Sequence, residues 1–264
     1  MYSFDYLRPS DRVSAVAAST GDARYLAGGQ SLVQAMKLRL SSSERLVDLG
    51  AVADLRGIRV DRESVTIGAM CCHADVARSS EVRAAIAALG ELAAGIGDPM
   101  VRTMGTLGGS IANADPAACY PAALLALGAS VQTDRRVIGA HDFFTGVYET
   151  ALQPGELITS VRFPVPQRAA YVKFKQPASR FAMVGVFVCQ QAGSVRVAVT
   201  GVRSHVFRAS AIEAALQRSF EPASAFSVSI GSEDIGDDIH APASYKVAMI
   251  SVMAGRAVAA ALAR

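Results

Sequence analysis

Cysteine is scarce in this 264-residue chain: Cys71, Cys72, Cys119 and Cys189 are all there is, and no two of them form a C-x-x-C pair. Neither a zinc site nor an iron–sulfur cluster can be written from that set, so any cluster has to belong to a partner. Two phosphate signatures are also missing. No G-x-G-x-x-G occurs, which removes the dinucleotide fingerprint, and no Gly-Lys pair occurs, which removes the phosphate-loop NTPases. There is no basic run: charged residues make up 19% of the chain, lysines and arginines are scattered among acids, and the net charge is only +3. The footprint of a nucleic-acid binder is therefore absent. The start, Met1-Tyr2-Ser3-Phe4-Asp5-Tyr6, lacks the charged-then-apolar order of a signal peptide, and with unpaired thiols this points to the reducing cytoplasm. No long apolar run is free of charge. The best, Tyr245 to Arg264, is interrupted by Lys246 and Arg256 and is marginal in length for a bilayer, so it reads as a docked, buried helix. Fixed-period repeats and low-complexity tracts are lacking as well.

What is present is an ordinary globular composition. Half the residues are apolar and Gly (22) outnumbers Pro (10), which suits an α/β protein of one or two domains with a sizeable core. A short helix is expected over Asp11–Ala17, with Ser10 before it and Thr20-Gly21-Asp22 ending it. Arg24–Ala27 then reads as a strand, Gly28-Gly29-Gln30-Ser31 as a turn, and Leu32, Met36 and Leu40 as one face of a helix. Leu46–Leu49 is a further short strand, and the pattern changes near Gly57. Val65, Ile67 and Ala69 alternate as in a strand, and Val82, Ile86, Leu89 and Ala93 share one face of a helix expected over Glu81–Ile96. Pro121–Leu127 reads as a compact apolar helix, followed by strands at Ala129–Thr133 and Leu157–Phe163. Pro164 and Pro166 mark a second boundary. Beyond it come three strands, Tyr171–Lys175, Ala182–Cys189 and Val195–Val202, then the helix Ser210–Arg218 and the terminal helix: a small α+β unit.

Two glycine loops stand out. Ala27-Gly28-Gly29-Gln30-Ser31-Leu32 joins a strand to a helix. Its bare backbone can approach an anion, or it is simply a tight turn that needs positive φ. The second, Gly105-Thr106-Leu107-Gly108-Gly109-Ser110 running on to Ala114-Asp115-Pro116, combines adjacent glycines with two hydroxyls. That chemistry suits pyrophosphate and ribityl oxygens.

The stretch Ile96-Gly97-Asp98-Pro99 through Ser110 to Pro116 resembles the second FAD loop of the flavin subunits of molybdenum hydroxylases, the xanthine dehydrogenase and carbon monoxide dehydrogenase flavoprotein family. Ala27–Leu32 is similar to that family's first FAD loop. Leu38-Arg39-Leu40, Leu46–Leu49, Ile67-Gly68-Ala69-Met70, Phe143–Gly146, Glu149–Leu152, Glu156-Leu157-Ile158 and Tyr171–Lys175 continue the likeness over nearly the whole chain. The resemblance implies an α+β fold. It would consist of a PCMH or vanillyl-alcohol-oxidase type FAD domain of two α/β subdomains (1–57 and 58–166) and a small carboxyl-terminal α+β domain (167–264) with a three-stranded antiparallel sheet. It implies FAD bound by Ala27, Gly28, Gly29, Gln30, Ser31, Leu32, Thr106, Gly108, Gly109, Ser110, Ala114, Asp115 and Cys119. Ile158 and Lys175 would supply a backbone contact and a cation near the isoalloxazine. The partners implied are a molybdopterin-binding large subunit and a small subunit with two [2Fe–2S] clusters, and the role is electron transfer to an external acceptor rather than hydroxylation.

The chain departs from the family pattern in places. Cys119-Tyr120 replaces the usual acidic residue and Leu, and Thr103-Met104 replaces Asn-Arg, although Arg102 remains. Cys119-Tyr120 keeps a second reading open, a flavin oxidase or dehydrogenase acting alone on a small organic substrate; a scaffold that has lost FAD is a third. No histidine lies in the first loop, so FAD is expected to be non-covalent. Elsewhere the sequence offers only structural readings. Cys71-Cys72-His73 are expected to be buried thiols beside a histidine, His141-Asp142 lacks an arranged nucleophile, and Arg203 and His205 are surface charges.

Overall fold

A computed structural model describes residues 1–264, and the chain lays down its three larger sheets in sequence order. The first segment holds β1 (Asp5–Leu7), α1 (Arg12–Ala18), β2 (Ala23–Leu26), α2 (Leu32–Lys37) and β3 (Arg45–Asp48), with a parallel sheet in the order β1-β3-β2. Asp11, not Ser10, caps α1: its carboxylate accepts from the Ser14 amide at 2.9 Å, a contact worth about 1 kcal/mol. The helix expected to run on to Leu40 stops at Lys37, because Arg39 takes a left-handed conformation (φ 58°), and Leu38 and Leu40 are left exposed. A small core joins this segment to the second: Val47, Leu49, Val52 and Leu55 meet Ala15, and Met70 and Leu157 come in from the next segment.

The second segment holds β4 (Ile58–Val60), β5 (Ser64–Gly68), α3 (His73–Arg78), α4 (Ser80–Ala85), α5 (Ala87–Ala94), α6 (Pro99–Met104), α7 (Leu107–Asn113), α8 (Tyr120–Leu127), β6 (Ser130–Thr133), β7 (Val137–Gly139), α9 (Ala140–Phe143), β8 (Phe144–Gly146), β9 (Glu149–Thr150) and β10 (Ile158–Pro164). Its five-stranded antiparallel sheet has the order β4-β5-β10-β6-β7, and β8 and β9 pair as a separate hairpin. The single helix expected over Glu81–Ile96 is two: Ile86 leaves helical geometry (φ −140°, ψ 76°) between α4 and α5. Val82, Ile86, Leu89 and Ala93 are all buried nonetheless, since both helices pack on the same core.

The third segment holds β11 (Arg168–Lys175), β12 (Ala182–Gln191), β13 (Ser194–Thr200), β14 (Phe207–Arg208), α10 (Ser210–Arg218), α11 (Pro222–Phe226) and α12 (Ala243–Leu262). Its antiparallel sheet has four strands in the order β11-β12-β13-β14, one more than expected, because the two residues of β14 pair with Ala198 and Val199. Both faces of this sheet are covered. Along β12, Val184, Val186 and Val188 point into the core shared with α10 and α12, while Phe187 and Cys189 point into the core of the second segment, where α8 lies. Strand periodicity sends alternate residues to opposite faces, so a doubly covered strand reads as one apolar run. Helix α12 is long and apolar enough to cross a membrane, but Ile250, Met253, Ala254, Ala257 and Val258 are buried against the sheet, which makes it a core helix. The architecture is α+β.

Candidate functional site

A cleft of about 530 Å³ opens where the three segments meet, within the size range of cofactor sites. The first glycine loop forms one wall. A Cβ on Gly28 would stand 2.0 Å from the Met104 carbonyl oxygen and 2.8 Å from Gly105 Cα, so this loop presses directly on the second, and only a residue without a side chain permits the approach. Gly29 takes φ +70° to make the turn into α2. The amides of Gly28, Gly29, Gln30 and Ser31 donate to no protein acceptor, and the Gln30 and Ser31 side chains make no protein hydrogen bond. Four free donors on a bare backbone form a cradle for an anion.

The second loop is built differently from what its sequence suggests. Its amides do not form a free donor run: Gly108 N donates to Ala69 O (2.8 Å), Leu107 N to Cys71 O (3.0 Å), Ser110 N to Thr106 O (3.0 Å) and Gly109 N to Thr106 Oγ1 (3.1 Å). Thr106 caps α7, and the loop's role in the cleft passes to side chains and to surfaces that come close. Thr106, Gly109, Ser110, Asn113, Asp115 and Cys119 line the cleft, with the Ser110 hydroxyl and Asn113 amide unengaged by protein. Gly108 stands behind the wall, since a Cβ there would lie 2.7 Å from that of Ala69. Ala114 is buried in a left-handed turn (φ 48°) and does not reach the lining.

Of the remaining expected contacts, Ile158 lies in the core of the five-stranded sheet opposite Thr133, away from the cleft. Lys175 is exposed at the end of β11, just past a register shift between Phe174 and Lys175, where it pairs with Ala182. Lys173 lines the cleft instead. Its ammonium donates to Gly95 O (2.8 Å) and Arg180 O (2.9 Å) and lies 3.4 Å from Cys119 Sγ. The loop between β11 and β12, with Ala178, Ser179, Arg180 and Phe181, overhangs the same space.

Beyond Lys173 and that loop, sequence reasoning also missed Arg24, Tyr25 and His73. Arg24, at the edge of the first loop, adds a further cation, and Tyr25 beside it bonds Gly155 O at 3.0 Å. His73, read above as part of a buried thiol patch, opens α3 and reaches the cleft. It is 4% exposed, its ring lies 5.4 Å from that of Tyr120, and its Nδ1 has no partner. Burial, helped by the nearby Arg102 charge, lowers its pKa to about 4, so it is neutral at physiological pH. Burial likewise raises the Tyr120 phenol far above its ordinary value. A small signal for His73 existed in its place after the alternating strand, but its burial is a tertiary fact.

The lining thus offers free amides, hydroxyls, two carboxamides and three cations, together with the carboxylates of Asp98 and Asp115. It offers no paired acid and base and no arranged nucleophile. Such a surface suits an elongated, anionic, polyol-bearing molecule.

A family model described as the FAD binding domain in molybdopterin dehydrogenase matches residues 2–166, well over half the chain. The chain belongs to this family. Similarity to the family's medium chains extends beyond the matched residues. The chain is 37% identical over 283 aligned positions to the carbon monoxide dehydrogenase medium chain of Afipia carboxidovorans, covering 99% of this chain and 98% of that one. Among solved structures, reconstituted CO dehydrogenase from Oligotropha carboxidovorans superposes with a TM-score of 0.89 at 36% identity, covering 100% of this chain and 99% of its counterpart. Quinoline 2-oxidoreductase from Pseudomonas putida 86 superposes with a TM-score of 0.90 at 27% identity, covering 98% and 97%.

Proposed function

We propose that this chain is the flavin-bearing medium subunit of a molybdenum hydroxylase and carries electrons from iron–sulfur clusters to an external acceptor. FAD, when bound, supplies a centre that takes electrons singly from clusters and gives them up in pairs. The observation that carries this reading is the contact between the two glycine loops, with four unengaged amides on one side of the cleft and Lys173 on the other. The structural fit is good: donors without acceptors and uncompensated cations are what a diphosphate with a ribityl chain requires.

In this reading Gly28, Gly29, Gln30, Ser31 and Arg24 hold the diphosphate, and Thr106, Gly109, Ser110, Asn113, Asp115 and Cys119 line the ribityl course. Lys173 replaces Lys175 as the cation expected near the ring. Ala27 and Leu32 flank the first loop, while Gly108, Ala114 and Ile158 act from behind, through packing. The subdomains follow the three segments, 1–57 and 58–166 as the two halves of a PCMH-type FAD domain and 167–264 as the carboxyl-terminal domain. Attachment is non-covalent: no histidine lies in the first loop, and the Cys119 thiol already meets an ammonium. The partners are a molybdopterin-binding large subunit and a small subunit with two [2Fe–2S] clusters, in the cytoplasm. The names of the relatives, medium chains and FAD subunits, favour this over a free-standing oxidase.

The test is purification of the chain with its co-produced partners. One flavin per medium chain, released intact by acid denaturation and reducible through the iron–sulfur subunit, is expected. A complex without flavin, or flavin that stays with the denatured chain, overturns the proposal.

A further inference from the structure

We propose that Thr200 is a positioning residue for the cofactor cleft: from the carboxyl-terminal sheet it grips the Pro116 and Ala118 carbonyls and thereby sets the Asp115–Cys119 wall. The inference rests on the proposed FAD reading and adds a residue far outside either glycine loop.

Asp115, Ala117, Ala118 and Cys119 all line the cleft, yet they belong to no regular element. The segment leaves α7 through a left-handed turn at Ala114 and has few bonds of its own. Ala117 N donates to Asp115 Oδ1 (2.8 Å) and Ala118 N to Asp115 O (2.9 Å). Its outward carbonyls are held from another segment. Thr200, the last residue of β13 and 1% exposed, places its hydroxyl 2.5 Å from Pro116 O and 2.8 Å from Ala118 O, sharing one proton between them. The next amide, Gly201 N, also donates to Pro116 O at 2.8 Å.

The neighbouring strand fixes the aim of that hydroxyl. Thr200 pairs with Gly185 in β12, and where a Cβ on Gly185 would stand, the Thr200 methyl lies 2.8 Å away on one side and the Tyr171 hydroxyl 2.5 Å away on the other. Glycine weakens a strand interior, so its place in this apolar strand is accounted for by the slot it leaves. The methyl fills the slot and the hydroxyl turns to the loop. A second tie from the same sheet, Lys173 to Cys119, holds the far end of the wall. With carbonyls turned toward Thr200, the opposite side of the segment faces the cleft in one fixed arrangement. Such fixing lowers the ordering cost that a ligand would otherwise meet.

The experiment compares Thr200→Val and Thr200→Ser in the full chain, co-produced with its partner subunits, with each complex stripped of flavin and titrated with FAD. Thr200→Val is expected to weaken FAD binding about tenfold, equivalent to about 1.4 kcal/mol, and to alter the visible circular dichroism of the bound flavin. Thr200→Ser, which restores the hydroxyl, is expected to keep affinity within about threefold. Binding by Thr200→Val equal to that of the unaltered complex overturns the inference and leaves the FAD reading intact. So does binding by Thr200→Ser as weak as that of the valine variant. An unaltered complex that binds no FAD overturns both. Should Thr200→Val fail to assemble, Thr200→Ala against Thr200→Ser gives the same comparison.

Discussion

Lys173 Nζ lies 3.4 Å from Cys119 Sγ and joins the carboxyl-terminal sheet to the start of α8 across the wall of the cleft. No carboxylate accepts from this ammonium: its other partners are the carbonyls of Gly95 and Arg180. Its charge therefore stays available to an anionic ligand. Lys173→Met is expected to weaken FAD binding roughly tenfold, and Lys173→Arg to weaken it less, as read by fluorescence titration of the deflavinated complex. Equal affinity in the methionine variant would place the ligand's charge elsewhere.

The contact between the glycine loops makes a sharper prediction. Gly28→Ala drives a methyl into the Met104 carbonyl, and backbone cannot swing aside as a side chain can. A loss of about 2–3 kcal/mol in unfolding free energy, read from urea denaturation, with loss of flavin, is expected. Gly21→Ala is the control. That glycine has positive φ (+63°), but nothing lies within 4 Å, so only the conformational cost of about 1 kcal/mol applies and flavin is retained.

His73 ties stability to mild acid. Its folded pKa of about 4 lies below the unfolded value of 6.5, so the unfolded chain takes up the proton first as pH falls. Stability is complete above pH 6.5 and is lost toward pH 4, by up to about 3 kcal/mol at roughly 1.4 kcal/mol per pKa unit. Thermal melts in that window should show the slope in the natural chain and its absence in His73→Leu. A leucine variant with an unchanged slope would assign the effect to another group.

Glu156 acts in a lower window. Its buried carboxylate accepts from Arg136, Thr133 and the Gln153 amide, and the Arg136 hydrogen bonds above all hold its pKa at about 2. Its contribution is present above pH 4.5, the ordinary value, and disappears as pH falls toward 2. Glu156→Gln is expected to cost about 2 kcal/mol at neutral pH, because a charge-assisted pair is lost at a buried site, and to flatten acid unfolding below pH 4.5. Circular dichroism across an acid titration of both chains checks it.

The sequence announced some of these features and concealed others for identifiable reasons. The Gly28-Gly29 turn, β3 and the three long strands of the carboxyl-terminal sheet have local signals, a breaker or an apolar run, and were legible. The break at Ile86 was not, because Val82, Ile86, Leu89 and Ala93 stay on one core whether the helix is whole or bent, and periodicity reads only the core. Lys173 was passed over for Lys175 because the family likeness pointed to Lys175, and nothing in the sequence shows that Lys173 is the lysine that lines the cleft. The second loop looked like a donor run, since sequence shows that amides exist but not that Ala69 and Cys71 already occupy them. Thr200 gives no local sign at all; its importance arises from a contact 84 residues away in the chain.

The convergence of three segments on one cleft has a consequence for how the chain matures. Strands within each sheet are mostly near neighbours in sequence, so a chain diluted out of denaturant can regain its far-ultraviolet ellipticity segment by segment. The ability to quench added flavin then arrives only after the last docking event. A preparation with full secondary structure but pale colour would contain molecules halted one step short of that.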